Sequence, residues 1–534
     1  MPILDWIGKK SVINHDKEVP FRLLKRVESL SVGESENLII KGDNLEALKA
    51  LLPYYYNKVK CIYIDPPYNT GNENWIYNDK VNSPEIRKWL GKAVGSEGED
   101  LSRHDKWLCM MYPRLKLLRE LLREDGVIFV SIDDDEQHHL RMIMNEIFGA
   151  ENFITNIIWQ KKFSPQNDAK YFSDMHDFIA AYAKHKNSGS ETIGWMRNLL
   201  PRTETMDERY SNPDNDPRGD WTSSDLTAKR FTPKDMYPIQ APSGKLIYPT
   251  KGRSWSVSKE RFEELRKDNR IWFGENRSNV PRLKRFKTDV QEGMVPVTIW
   301  FHQEVGHNQE AKQVLKQILP DAKMPFETPK PVRLVKRIIQ LACDKNDILL
   351  DSFAGSGTTA HAVLELNKED GGNRKFILVE MENEIARKVT AERVKRVIKG
   401  YTYKNNKGEG IKVKGLGGGF QFMNLDTELF DAHRLINDDI TYTDLARYIF
   451  FYETKRDLKE KAMKDYFIGE NNRTEYYLVY KQGKENILNE KVIAKLKKTD
   501  KQKVVYADNC TLDEEMLNER KIIFKQIPYE VRGF

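Results

Sequence analysis

"DILLDSFAGSGTTAHAVLELN", residues 347–367, reads as a strand, a glycine turn and a helix. Asp351 and Phe353 follow the strand, and Gly355, Ser356 and Gly357 make the turn. Glycines there permit positive φ and let a ligand approach the backbone closely. The helix that follows opens with N–H groups that have no partner inside it. Gly355 to Ala360 also fits G-x-G-x-x-A, the dinucleotide fingerprint. The next strand, "KFILVEME", carries Glu380 at its end, where an acid accepts hydrogen bonds from ribose hydroxyls. The unit is therefore expected to bind a ligand with an adenosine-like ribose. A P-loop is excluded, because no Gly-Lys-Ser/Thr is present to meet a β- or γ-phosphate. NAD and S-adenosylmethionine both remain open at this turn.

Working outward, residues 1–185 alternate strand-like and helix-like segments. "ENLIIKGDNLEALKALLP" is a strand, a turn at Gly42-Asp43 and a helix. "KVKCIYI" is a strand, and "DKWLCMMYPRLKLLRELLRED" an amphipathic helix. "GVIFVSID" is a near-continuous apolar strand, as in a sheet covered on both faces. Periodicity fades over residues 186–300, where tryptophan, tyrosine, arginine, lysine and proline interleave. The β-α-β pattern returns in 301–401. A glycine-rich stretch at 402–419 reads as a linker, and 420–534 as a separate C-terminal α/β region. Alternating strands and helices imply a mainly parallel sheet with right-handed crossovers. Sites on such sheets lie at the carboxyl ends of strands.

A second strand ends unusually: "KCIYIDPPYNTGNENW", residues 60–75. Pro66 and Pro67 fix φ and remove two N–H donors, leaving carbonyls that nothing local is expected to bond. Asp65 and the Pro66 carbonyl suit the two hydrogens of an exocyclic amine on a flat ring, and Tyr68 suits its face. Such an amine is a weak nucleophile, since its lone pair is delocalised into the ring. Two acceptors pulling on its hydrogens favour the pyramidal, reactive nitrogen. A nicotinamide-dependent oxidoreductase would use the glycine turn but leave Asp65–Tyr68 idle, so this corner separates the two cofactors.

"DPPY" resembles the catalytic motif of amino-methylating DNA methyltransferases, and "DSFAGSGTT" is similar to their S-adenosylmethionine motif. Asp in first position is typical of N6-adenine enzymes, whereas N4-cytosine enzymes usually show Ser. The catalytic motif precedes the cofactor motif, as in the β group, a circular permutation of the methyltransferase fold. "DPPYNTGNENWIYND" is similar to modification (Mod) subunits of type III restriction-modification systems. The resemblance implies a Rossmann-like α/β methyltransferase sheet. Residues 1–185 would be its catalytic half, 186–300 a target-recognition insert, 301–401 its cofactor half, and 420–534 a dimerisation or docking domain. It assigns Asp43, Asp351, Phe353, Gly355, Gly357, Thr358 and Glu380 to S-adenosylmethionine, with Lys330 near the cofactor carboxylate. It implies a double-stranded DNA substrate, a homodimer, and a partner restriction endonuclease of Res type.

A base inside a duplex cannot reach a strand-end pocket, so it must be flipped out. Trp75, Tyr77 and Arg87, in the long loop after the corner, are candidates for gripping or replacing it. Arg282, Lys284, Arg285 and Lys287 form a basic run suited to phosphate contact. The net charge of the 534 residues, +7, is by itself weak evidence for a polyanionic partner. Asp133–Asp135 with His138 and His139 raise the question of a metal. A strand end followed by an acid-capped helix explains them, and methyl transfer needs no metal. The four cysteines show no CxxC pairing, which fits a reducing compartment. No signal peptide or membrane-spanning run is visible, and a cytoplasmic protein is expected.

Overall fold

The computed structural model describes residues 3–527 apart from 71–102, 188, 190–192, 291–292, 322–325, 406, 432–434, 457 and 482. It divides into two compact units: residues 1–198 with 297–534, and residues 199–296.

The first unit is organised on a ten-stranded sheet. In chain order its strands are β1 (Arg22–Arg26), β2 (Leu38–Lys41), β3 (Val59–Ile64), β4 (Leu122–Ile132), β5 (Phe153–Gln160), β6 (His176–Ala183), β7 (Ile299–Trp300), β8 (Ile348–Asp351), β9 (Lys375–Glu380) and β10 (Gln421–Glu428). Their order across the sheet is β1-β10-β2-β9-β8-β3-β4-β6-β5-β7. The six strands from β10 to β4 are mutually parallel, and β1 and β6 run against their neighbours. Every residue of β3 is buried. That is the signature of a strand covered on both faces, and it explains the unbroken apolar run "VKCIYI".

Five helices matter for the site: α1 (Asn44–Tyr55), α2 (Arg103–Leu121), α3 (Gln137–Phe148), α4 (Val332–Ala342) and α5 (Thr358–Asp370). α1 and α2 share a core in which Leu48, Leu51, Trp107, Met111 and Leu115 are wholly buried. The leucine spacing of α1 brings one side of that helix onto the sheet.

Two boundaries read from sequence shift. Residues 402–419 are not a linker. Gly400–Lys404 pairs antiparallel with Gly410–Lys414, setting Tyr401 opposite Val413 and Tyr403 opposite Ile411. β-branched and aromatic residues on alternate positions make these strands, and the glycines only punctuate them. The stretch after it is not wholly a separate domain either: β10 lies in the main sheet, pairing Phe422 with Ile39. Beyond β10 the chain builds a four-stranded sheet from Phe467–Asn471, Thr474–Leu478, Gln502–Ala507 and Ile522–Gln526. Among the described residues, no helix is long and apolar enough to cross a membrane.

The second unit starts at residue 199, later than the 186 read from sequence. It holds a three-stranded sheet, Ile271–Trp272, Arg282–Phe286 and Trp221–Asp225. Its own core includes Trp255, Phe262, Ile271 and Phe273.

Candidate active site

β3 and β8 are adjacent, with Cys61 opposite Leu349 and Ile62 opposite Leu350. Asp65 and Asp351 therefore leave the same sheet edge side by side. A cavity of about 20 Å³ is lined by Asp65, Lys330, Asp351, Phe353, Gly355 and Thr358 together. The two motifs found separately in the sequence thus form one site.

Asp351 is buried, and its carboxylate accepts the Phe353 amide at 3.1 Å and the Thr359 hydroxyl at 2.6 Å. Burial still pushes its carboxyl up to about 7. Gly355 has φ +50°, and a Cβ there would lie 2.7 Å from Phe326 Cζ, so a side chain would strike the ring. The Gly355 amide donates to Glu380 Oε2 at 2.9 Å, while Glu380 Oε1 accepts the Glu382 amide at 2.9 Å. Glu380 thus staples the turn to the end of β9. The buried Arg393 guanidinium holds the helix start, 2.8 Å from Ser356 Oγ and 2.9 Å from Thr358 Oγ1. Asp43 caps α1 by accepting the Leu45 and Glu46 amides at 2.8 and 3.2 Å, and pairs with Arg114 at 3.1 Å. Its structural work at the start of α1 was not read from the sequence.

At the corner, Asp65 Oδ2 meets Lys330 Nζ at 2.5 Å, with both side chains nearly buried. Lys330, expected near the cofactor carboxylate, neutralises Asp65 in this structure, with its ammonium 5.0 Å from the centre of the Tyr68 ring. Asp65 Oδ1 is buried without a hydrogen-bond partner. Burial lifts the Tyr68 phenol well above its ordinary range. Its hydroxyl lies 3.5 Å from Asp177 Oδ2, and Asp177 pairs with Lys161 at 2.7 Å.

The corner is held from outside by residues the sequence did not single out. The Trp107 indole N–H donates to the Pro67 carbonyl at 2.7 Å. The expectation that nothing bonds the proline carbonyls is therefore corrected for Pro67: α2 supplies the donor that a buried indole needs to place. Asn69, with φ +61°, donates to Glu136 Oε1 at 2.5 Å and to the Arg103 carbonyl at 3.1 Å. Arg103 returns a bond to the Asn69 carbonyl at 2.8 Å. Glu136 is wholly buried, with His104 Nδ1 at 2.7 Å and His139 Nδ1 at 2.8 Å. The ligand atoms of His104, Glu136 and His139 all lie within 4.8 Å of one another. In this structure both carboxylate oxygens serve as acceptors for the loop and the two rings, which ties Asn69 to α2 and α3.

Among the basic residues of the second unit, Arg282, Arg285 and Lys287 are exposed. Lys284 is not. Strand alternation puts it on the side of buried Phe286, where it pairs with Asp214 and, at 3.1 Å, with Asp216. It is removed from the set of phosphate contacts. Trp75, Tyr77 and Arg87 lie outside the described residues.

The DNA methylase family model of N6 and N4 enzymes matches residues 59–392. The StyLTI Mod subunit, from a type III restriction-modification enzyme of Salmonella typhimurium strain LT2, is 36% identical over 406 residues. That alignment covers 73% of this chain and 60% of that protein's length. The EcoP15I Mod subunit of Escherichia coli is 30% identical over 497 residues, 82% of this chain and 75% of its own. The type II methyltransferase M.KpnI of Klebsiella pneumoniae is 30% identical over 362 residues, 65% of this chain and 81% of its own. A family match that runs from β3 through the glycine turn to the strand ending in Glu380, and so takes in Asp65, Lys330, Asp351 and Glu380, places the chain in the N6/N4 DNA methylase family.

Proposed function

We propose that the protein transfers a methyl group from S-adenosylmethionine to N6 of an adenine flipped out of double-stranded DNA, as the modification subunit of a restriction-modification system. The observation that carries this reading is Asp65 Oδ1, a buried carboxylate oxygen with no partner, set beside the glycine turn. A buried acceptor left unmet costs stability unless something comes to it. The amine of a flipped base is that donor.

The residues at the turn fit the cofactor: Gly355 and Gly357 clear the backbone, Phe353 offers an apolar face, and Asp351 and Glu380 provide carboxylates. When bound, S-adenosylmethionine supplies a methyl group already activated on a sulfonium. This chain does the rest. Asp65 Oδ1 and the Pro66 carbonyl accept the two N6 hydrogens, and Tyr68 supports the ring face. Methyl transfer from the bound cofactor would leave a surplus proton on N6, which Asp65 is placed to take. Asp43 and Thr358 serve chiefly to hold the elements that carry these groups. Arg282, Arg285 and Lys287 contact DNA phosphates. A homodimer, a partner endonuclease and a cytoplasmic location complete the reading. It draws support from the Mod relatives and, for the location, from four cysteines none of which is in a disulfide.

The test is Asp65→Ala with isotopically labelled cofactor. Methyl transfer should vanish while cofactor binding persists. Full turnover by that variant would sink the assignment, and sequencing of DNA modified by the wild type identifies the base. N4-methylcytosine in that DNA would replace adenine in the reading.

A further inference from the structure

The connection between β5 and β6, "KKFSPQNDAKYFSDM" over residues 161–175, carries two aromatic rings that the fold does not use. Tyr171 is 82% exposed and Phe172 95%. Neither belongs to a core cluster. Two adjacent rings, each more exposed than Phe163, Phe231, Tyr248 or Phe301, which are 50–57% exposed, call for a partner.

Their position names it. β5 ends and β6 begins at the sheet edge from which Asp65 emerges, since β6 runs antiparallel to β4 and β4 parallel to β3. The loop is closed at its base, where the Lys161 and Lys162 amides both donate to the Met175 carbonyl, at 2.9 and 3.4 Å. The Gln166 amide donates to Ser173 Oγ at 2.8 Å, bracing the arm that bears the rings. From Phe172 the chain runs two residues to Asp174, which pairs with Lys161 at 2.6 Å. Lys161 in turn pairs with Asp177, the acid facing the Tyr68 hydroxyl. The aromatic tip is therefore hung from the platform on which the target base is read to stack. Lys170 lies 5.4 Å from the Tyr171 ring centre, which keeps a cation beside the apolar tip.

We propose that Phe172, with Tyr171 beside it, is the wedge that enters the base stack of duplex DNA where the target base leaves it. This rests on the methyltransferase reading above and adds the means of extrusion. Flipping a base breaks two stacking contacts, and an apolar ring inserted between base steps replaces them. A wedge must be rigidly based, exposed before binding and close to the pocket that receives the base. The loop meets all three conditions.

The experiment uses the full-length protein and duplexes carrying a site mapped from DNA the wild type has modified. Phe172→Ala and the double variant Tyr171→Ala/Phe172→Ala are compared with wild type. On matched duplex, kcat/KM should fall about 10- to 100-fold, the cost of an uncompensated unstacking. The fluorescence rise of 2-aminopurine placed at the target should fall with it. With an abasic site opposite the target, where flipping is already half done, the deficit should shrink to within about threefold. Phe172→Trp should retain most activity, and cofactor affinity should not change. Equal activity of Phe172→Ala and wild type on matched duplex overturns the proposal. So does a deficit of the same size on both duplexes. A change of oligomeric state in Phe172→Ala that accounts for the lost activity overturns it too, and makes the tip a contact between copies. A wild type that methylates no DNA at all removes the methyltransferase reading itself, a result distinct from any of these.

Discussion

Lys330→Met isolates the ion pair at the centre of the site. Lys330 Nζ and Asp65 Oδ2 are 2.5 Å apart, on side chains only 8% and 13% exposed. Removing the ammonium leaves a largely buried carboxylate without its counter-charge. Breaking such a pair from one side costs about 3–5 kcal/mol. Methionine preserves the length of the lysine stem, so the packing loss stays under about 1.5 kcal/mol. Asp65→Asn removes the opposite charge, yet Lys330 keeps the faces of Tyr68 and Trp159, at 5.0 and 6.0 Å. Those contacts are worth about 0.5–2 kcal/mol. The double variant buries two neutral groups of nearly native volume and should recover most of the loss. The expected coupling energy is at least about 2 kcal/mol. Urea unfolding of the four proteins, compared at constant m, measures it. Additivity within about 0.5 kcal/mol would refute the view that these two charges exist for each other.

Four further outcomes follow from the geometry described above. Glu136→Ala removes the acceptor shared by Asn69, His104 and His139; kcat should drop at least about tenfold while cofactor affinity holds, and an equal loss of both in methylation and binding assays would place Glu136 elsewhere. Asp351 has its carboxyl raised to about 7, so the native state favours the protonated acid. The stability this gives is complete below the ordinary carboxylate value near pH 4 and is lost as pH rises towards 7, by up to about 4 kcal/mol. Against Asp351→Asn, which does not titrate there, wild-type stability in the absence of cofactor should decline across that window; parallel curves would count against the shift. Arg285→Ala should lower the salt dependence of DNA binding by about one unit of slope. Lys284→Ala should instead destabilise the second unit by about 3 kcal/mol or more. Thermal melts and salt titrations of both variants separate the two roles.

Both turns of the site were readable in the sequence because each depends on residue type at a strand end. Glycines at 355 and 357 and prolines at 66 and 67 constrain the backbone locally, whatever surrounds them. Trp107 was not readable as a support. In "DKWLCMMYPRL" it counts as one more apolar helix position, and only packing shows its indole on the Pro67 carbonyl. The pairing of Lys330 with Asp65 was not readable, since a lysine before a proline carries no sign of which protein carboxylate it will meet. The run from Arg282 to Lys287 looks uniformly basic until it is known to be a strand; alternation then buries Lys284. β10 was hidden behind its glycine-rich approach, because pairing of Phe422 with Ile39 is a contact between distant parts of the chain.

That long-range pairing also governs how the molecule is made. β3 finds its neighbour β8, and β2 its neighbours β9 and β10, only after a large part of the chain has been synthesised. Parallel strands so far apart in sequence give a high contact order and a slow closure. On the ribosome, residues 199–296 can condense on their own core while the strands flanking them still wait for partners. The half bearing Asp65 therefore emerges with an unpaired edge on β3, and the reaction centre can be completed only once β8 has been synthesised.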